Sequence, residues 1–161
     1  MNETAKGEIA LDEIVNARLK ELRNSIDAID AQLLALLNQR AQLAIDAGRI
    51  KHDAGAPVFR PEREKEVLQR TAASNPGPLS SANVTNVFRE VISACRALER
   101  PLTVAYLGPA GTFSEMAMQR QFGSSVDGLP CQTLDEVFRA TEAGSAQLAI
   151  VPIENSSEGA V

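Results

Sequence analysis

Arg40 interrupts an apolar seam that is otherwise regular. Leu22, Ile26, Ile29, Leu33, Leu36, Leu43, Ala47 and Ile50 follow the alternating four-three spacing of a helix that packs against other helices. Between Leu36 and Leu43 this spacing falls on Arg40, whose guanidinium is never neutral at ordinary pH and is costly to bury without an anion. Lys51 follows eleven residues later, roughly 16 Å along a helix axis and on almost the same face. Two long cationic side chains leaning across that gap leave room for a small anion. Arg63 and Glu64 fall in the first turn of the next helical segment, beside the bend that returns the chain toward Lys51. Glu99 ends the apolar stripe Phe88, Ile92, Cys95 and needs a partner there. Arg23 lies 17 residues before Arg40, roughly 25 Å along the same helix, so it can serve the same ligand only from a partner subunit.

Other chemistries find little support. His52 is the single histidine of the 161 residues, which argues against a histidine triad or a zinc site. Cys95 and Cys131 have neither metal-ligand spacing nor a disulfide framework and read as small reduced apolar residues. No metal and no cofactor is expected. The chain is 44% hydrophobic and 23% charged, with no apolar run long enough to span a membrane and no signal-peptide pattern at its start, so a cytoplasmic protein is expected. Residues 1–102 balance 14 basic against 14 acidic side chains, whereas residues 103–161 hold two arginines against seven acids. The net charge of −5 therefore comes from the last third, and neither part has the basic face that nucleic acid requires.

The elements that would position these residues follow from punctuation. Met1 to Gly7 reads as a frayed terminus and Ile9 to Val15 as a loose helical lead-in. The long helix begins near Asn16 or Leu22 and passes Lys51, with Gly55 and Pro57 ending it. Pro61 opens a second helix, where Glu62 and Glu64 suit the positive end of its dipole, and Ser74 to Pro78 breaks the chain again. Ser80 or Ser81 caps a third helix, with Val84, Val87, Phe88, Val91, Ile92, Cys95 and Leu98 on its buried side and Pro101 beyond its end. The long helix extends roughly 45 Å and cannot bury its seam in a compact three-helix monomer. An all-α homodimer that pairs and intertwines the long helices is expected.

After Thr103 the pattern changes. Val104 to Leu107 reads as a strand, Gly108 to Thr112 as a glycine turn, and Ser114 as the cap of a helix to about Phe122. Thr133 and Glu136 form a capping box for a helix ending near Gly144, and Leu148 to Ile153 reads as a buried strand. Strand, helix, helix, strand begins an α/β domain that is incomplete at Val161. Two domains are expected, 1–102 and 103–161. The glycine turn is neither a Walker loop nor a dinucleotide fingerprint.

LRNSIDAIDAQLLALLNQRAQLAIDAGRIK (22–51), PVFRPEREKEVL (57–68) and VFREVISACRALE (87–99) resemble the helical chorismate mutases, specifically the mutase domain of the bifunctional chorismate mutase/prephenate dehydratases. VAYLGPAGTFSEMA (104–117) and VPIENSSEG (151–159) resemble two signatures of prephenate dehydratase, so the likeness covers nearly all of the chain after its first 20 residues. The resemblance implies a chorismate-binding site made of Arg23 from the partner chain with Arg40, Lys51, Arg63, Glu64 and Glu99. It also carries substrate contacts onto Arg60, where a family member has an acid, and onto Cys95, where the family has a small hydroxyl. Thr112, Asn155 and Ser156 acquire a dehydratase-like meaning only through this likeness. The dehydratase family's catalytic threonine lies in a Thr-Arg-Asp-Thr motif that these residues do not contain, so dehydratase activity is not expected of this chain.

The implied chemistry suits the residues. Chorismate is a dicarboxylate that rearranges to prephenate, on the route to phenylalanine and tyrosine, in one concerted pericyclic step without nucleophile, metal or proton transfer. Catalysis then consists of holding the compact conformer and stabilising the charge that develops as the ether bond breaks. Arginine forks suit the carboxylates, Lys51 with Glu99 as a neutral donor suits the ether oxygen, and Glu64 suits the ring hydroxyl. Two rival readings remain. The helices could be a non-catalytic dimerisation module whose buried charges fix register for a small-molecule-binding α/β domain, or dehydration could be the main activity of a longer parent chain.

Overall fold

A computed structural model describes residues 3–56, 59–155 and 159–160; Pro57, expected to help end the first helix, lies outside them, as do Met1 and Asn2. Helix α1 runs from Glu3 to Asp53, α2 from Pro61 to Ala73 and α3 from Ser81 to Glu99. The backbone is therefore already helical through most of the stretch expected to be frayed. Apart from Gly7, residues 3–21 contain no helix breaker, and a helix once nucleated propagates through good formers. At the other end, Gly55 takes φ +63° and the Ala56 amide donates to the Lys51 carbonyl at 2.8 Å. A glycine free to adopt the left-handed conformation is what such a stop requires.

The chain divides into two compact units, Met1–Arg40 and Ala41–Val161. In the first, the apolar residues of α1 lie open: Leu22, Ile26, Ile29, Leu33 and Leu36 are all more than half exposed.

In the second unit, α2 carries Pro61 at its start and α3 is capped by Ser80, whose hydroxyl accepts from the Asn83 amide at 3.1 Å, both as expected. The buried side of α3 differs from expectation: Val87 and Leu98 are exposed, and the buried residues are Ile92, Ser93, Cys95 and Arg96. Strand β1 (Thr103–Leu107) lies between β2 (Asp127–Cys131) and β3 (Leu148–Ile150), all parallel, with Thr103 opposite Asp127 and Val104 opposite Leu148. Helix α4 spans Phe113–Phe122 and α5 spans Leu134–Glu142. Alternation along β1 sends Val104 and Tyr106 to Met118 of α4 on one face of the sheet, and Ala105 to Val137 of α5 on the other.

Three expectations for this region do not hold. The order is strand, helix, strand, helix, strand, because β2 escapes notice: Asp-Gly-Leu-Pro-Cys has no apolar run and sits at the sheet edge, where proline and glycine are tolerated. The position before α4 is Thr112 rather than Ser114, and β3 ends at Ile150 rather than Ile153. The Thr133 cap forms as expected, its hydroxyl accepting from the Glu136 amide, while the Glu136 carboxylate accepts from the Gln132 amide. A short antiparallel pair, β4 (Glu154–Asn155) with β5 (Gly159–Ala160), follows. Among the described residues no helix is long and apolar enough to cross a membrane.

Candidate active site

Two ion pairs link α3 to the elements before it. Lys51 Nζ, in the last turn of α1, donates to Glu99 Oε2 at 2.7 Å, and the two side chains retain 25% and 12% of their exposure. The contact is local in cause. Gly48 stands one turn before Lys51, and a Cβ added there would lie 3.1 Å from Glu99 Cβ and 3.3 Å from Glu99 Cα. A glycine inside a helix costs about 1 kcal/mol relative to alanine. Here its missing side chain is what lets α3 approach α1 closely enough for the ion pair.

The second pair joins Arg96 to Glu64. Arg96 Nη1 donates to Glu64 Oε1 at 2.5 Å, and Arg96 is 4% exposed. Its other terminal nitrogen donates to the Phe122 carbonyl at 2.7 Å, its guanidinium carbon stands 5.5 Å from the centre of the Phe59 ring, and Nε has no partner among the described residues. Arg96 precedes Glu99 by three residues, so the two acid–base pairs are neighbours on one side of α3. Sequence reasoning missed Arg96. Nothing in Ser-Ala-Cys-Arg-Ala distinguishes a buried arginine from a solvated one; the available signal is that Ser93 and Arg96 continue a helical stripe.

The other residues singled out by sequence stand differently. Arg63 is exposed and donates to Glu66 at 2.7 Å, a contact that holds the Glu66 carboxyl below its usual range. Such an exposed pair is weak because solvent screens it, so Arg63 can leave it for a ligand. Arg60 is exposed at the start of α2 without a side-chain capping bond, and Cys95 is buried in α3. Arg40 is half-buried at the end of the first compact unit and Arg23 is exposed within it. Thr112 is half-buried, its hydroxyl donating to the Leu107 carbonyl at 3.3 Å. Asn155 is in β4, and Ser156 lies outside the described residues.

The polar side of α3 also meets the turn after α4. Ser93 Oγ accepts from the Ser125 amide at 3.1 Å, and Glu90 accepts from the Ser124 hydroxyl at 2.6 Å and the Ser124 amide at 3.0 Å. These bonds hold the Glu90 carboxyl below the usual carboxylate range. Between them stands Gly123 at φ +81°, where a Cβ would fall 2.5 Å from Ser93 Cβ. Burial, with Glu136 nearby, pushes the Cys131 thiol up, away from the thiolate that a nucleophile needs. No cluster of side chains suited to a metal ion occurs among the described residues. The groups brought together are thus fixed cations and carboxylates, a set suited to binding an anion and shaping charge around it.

Residues 22–100 match the family described as chorismate mutase type II, and residues 104–161 match prephenate dehydratase. The bifunctional chorismate mutase/prephenate dehydratase of Pseudomonas aeruginosa is 48% identical over 149 residues, 89% of this chain and 41% of that protein. That of Neisseria gonorrhoeae is 50% identical over 139 residues, 86% of this chain and 38% of that protein. The chain spans about two fifths of the length of these curated relatives. A chorismate mutase (form II) from Thermus thermophilus is 34% identical and aligns with 51% of this chain and 93% of its own, with a TM-score of 0.50.

Proposed function

The chain belongs to the bifunctional chorismate mutase/prephenate dehydratase family, of which it spans the N-terminal portion, and we propose from this that residues 1–102 rearrange chorismate to prephenate in aromatic amino acid biosynthesis. The observation that carries the reading is the Lys51–Glu99 pair at 2.7 Å, which joins the two groups assigned to the ether oxygen although they are 48 residues apart in sequence. In this pair Glu99 accepts from Lys51, so Lys51 is the donor already in place and Glu99 donates to the ether oxygen only as the neutral acid. Arg40, and Arg23 from a second copy of the chain, take the two carboxylates; Glu64 takes the ring hydroxyl; Arg60, Arg63 and Cys95 complete the contacts. No proton leaves the substrate. The gain comes from holding the reactive conformer and from donors aimed at the oxygen where negative charge grows.

A homodimer is part of the proposal. Its support is the row of open apolar side chains on α1, Leu22 to Leu36 and on to Leu43 and Ile50, each of the last two 70% exposed. Exposed apolar area on that scale marks an association surface, and a second α1 presents the same row. Dehydration of prephenate is not proposed for these 161 residues, which lack the Thr-Arg-Asp-Thr motif. Formation of phenylpyruvate from prephenate above the acid-catalysed background would contradict that.

The direct test follows the ultraviolet absorbance of chorismate mixed with the purified chain. Chorismate should be consumed and prephenate formed, and Arg40→Ala should lower kcat/KM by about a hundredfold or more, as loss of a preorganised charge contact does. A parent chain that leaves chorismate unchanged would favour the non-catalytic dimerisation reading.

A further inference from the structure

We propose that Arg96 is a positioning residue for the mutase site, acting through Glu64, and that the α/β segment holds it in place. This inference rests on the reading of Glu64 as the acceptor of the substrate's ring hydroxyl. A carboxylate in that role must present one oxygen to the ligand in a fixed direction. Glu64 is on the first turn of α2, where its side chain would otherwise be free to turn among rotamers. Arg96 removes that freedom, because its Nη1 holds Oε1 of Glu64 and leaves Oε2 as the oxygen for the ligand.

Arg96 is itself immobilised from the other side. Its Nη2 is bonded to the carbonyl of Phe122, the last residue of α4, and its guanidinium carbon stands over the Phe59 ring. Phe59 in turn meets the Phe122 ring edge-on, with centroids 5.8 Å apart, and both rings pack on the Leu102, Val104, Tyr106, Met118 cluster. The chain of contacts therefore runs from the sheet core through α4 and Arg96 to Glu64. A guanidinium is suited to this bridging because its planar fork carries separate donors in fixed directions, whereas an ammonium is a single point. Burying the group with Nε unpartnered among the described residues is costly, a cost that a solvated arginine on this helix would avoid.

Glu64 contacts the ring hydroxyl in the ground state and in the transition state alike, so disturbing it should weaken binding more than turnover. Arg96→Met is expected to raise the KM for chorismate about tenfold while kcat changes less than about threefold. In a Glu64→Ala background, which removes the oxygen that Arg96 holds, the same substitution should have no further effect on KM, because the residue acts only through that carboxylate. If Arg96→Met does not fold, Arg96→Lys carries the test. It keeps the charge but cannot hold Glu64 and the Phe122 carbonyl together, so KM should rise while Glu64 is present and stay level in the Glu64→Ala background. An unchanged KM, or an equal rise in both backgrounds, would overturn the positioning role while leaving the mutase reading intact. A parent chain without mutase activity, or one indifferent to Arg40→Ala, would overturn both.

Discussion

At the scale of single residues, the informative comparison is between Lys51–Glu99 and Arg63–Glu66. Both are 2.7 Å ion pairs, yet the first is largely shielded and the second is open to solvent. Removing one member of a shielded pair leaves a charge without its partner, while breaking an exposed pair costs little because water replaces the lost contact. Lys51→Met should therefore lower thermal stability detectably and, if it also deletes the donor proposed for the ether oxygen, reduce mutase kcat by about a hundredfold or more. Glu66→Gln should leave both within measurement error. A Lys51→Met variant of undiminished kcat would remove Lys51 from the chemistry.

At the scale of elements, two contacts of α3 give opposite kinds of prediction. Against α1, Gly48→Ala gains about 1 kcal/mol of helix propensity but pushes a methyl into Glu99, and overpacking of this kind costs about 1–3 kcal/mol. The second effect should win. Thermal melting should show no stabilisation, and kcat/KM should fall about five- to tenfold as α3 shifts by a few tenths of an ångström; a stabilised and fully active variant would show that α3 accommodates the methyl freely. Against the turn after α4, the Ser124 hydroxyl and amide hold the Glu90 carboxyl below its usual range. A group so lowered contributes stability that is present above the ordinary carboxylate range and lost as pH falls through the lowered value. The melting temperature of the parent should exceed that of Glu90→Gln at neutral pH, and the difference should begin to shrink as pH drops below about 4 and be gone only below the lowered value of the folded protein. A difference constant from neutral to acid pH would mean that the carboxylate charge plays no part.

At the scale of the whole molecule, the open apolar face of α1 is the reason to expect a shared site. Arg23→Ala and Arg40→Ala should each be inactive alone. Mixed under conditions that allow subunit exchange, they should recover about half of the parental activity per mixed dimer, because both lesions collect in one site and the other is intact. Failure to recover activity despite demonstrated exchange would place Arg23 outside the site.

Much of the fold is legible in the chain. Helical periodicity, Pro61, Ser80 and Thr133 announce α1 to α3 and α5 because these signals act within a few residues, and the alternation Val104, Ala105, Tyr106 announces the central strand for the same reason. The candidate residues Lys51, Glu64 and Glu99 are also readable, from their places on the helices and from motif likeness. What sequence does not decide is which charge meets which. Glu64 has Lys65 beside it and Arg63 before it, yet its partner is Arg96, 32 residues away. That choice depends on how closely α2 and α3 approach and on the Phe122 carbonyl that fixes the guanidinium, and distance between elements is not encoded in the local pattern of either. Strand β2 is hidden for a related reason: Asp-Gly-Leu-Pro-Cys has little strand propensity of its own and becomes a strand because β1 offers it an edge.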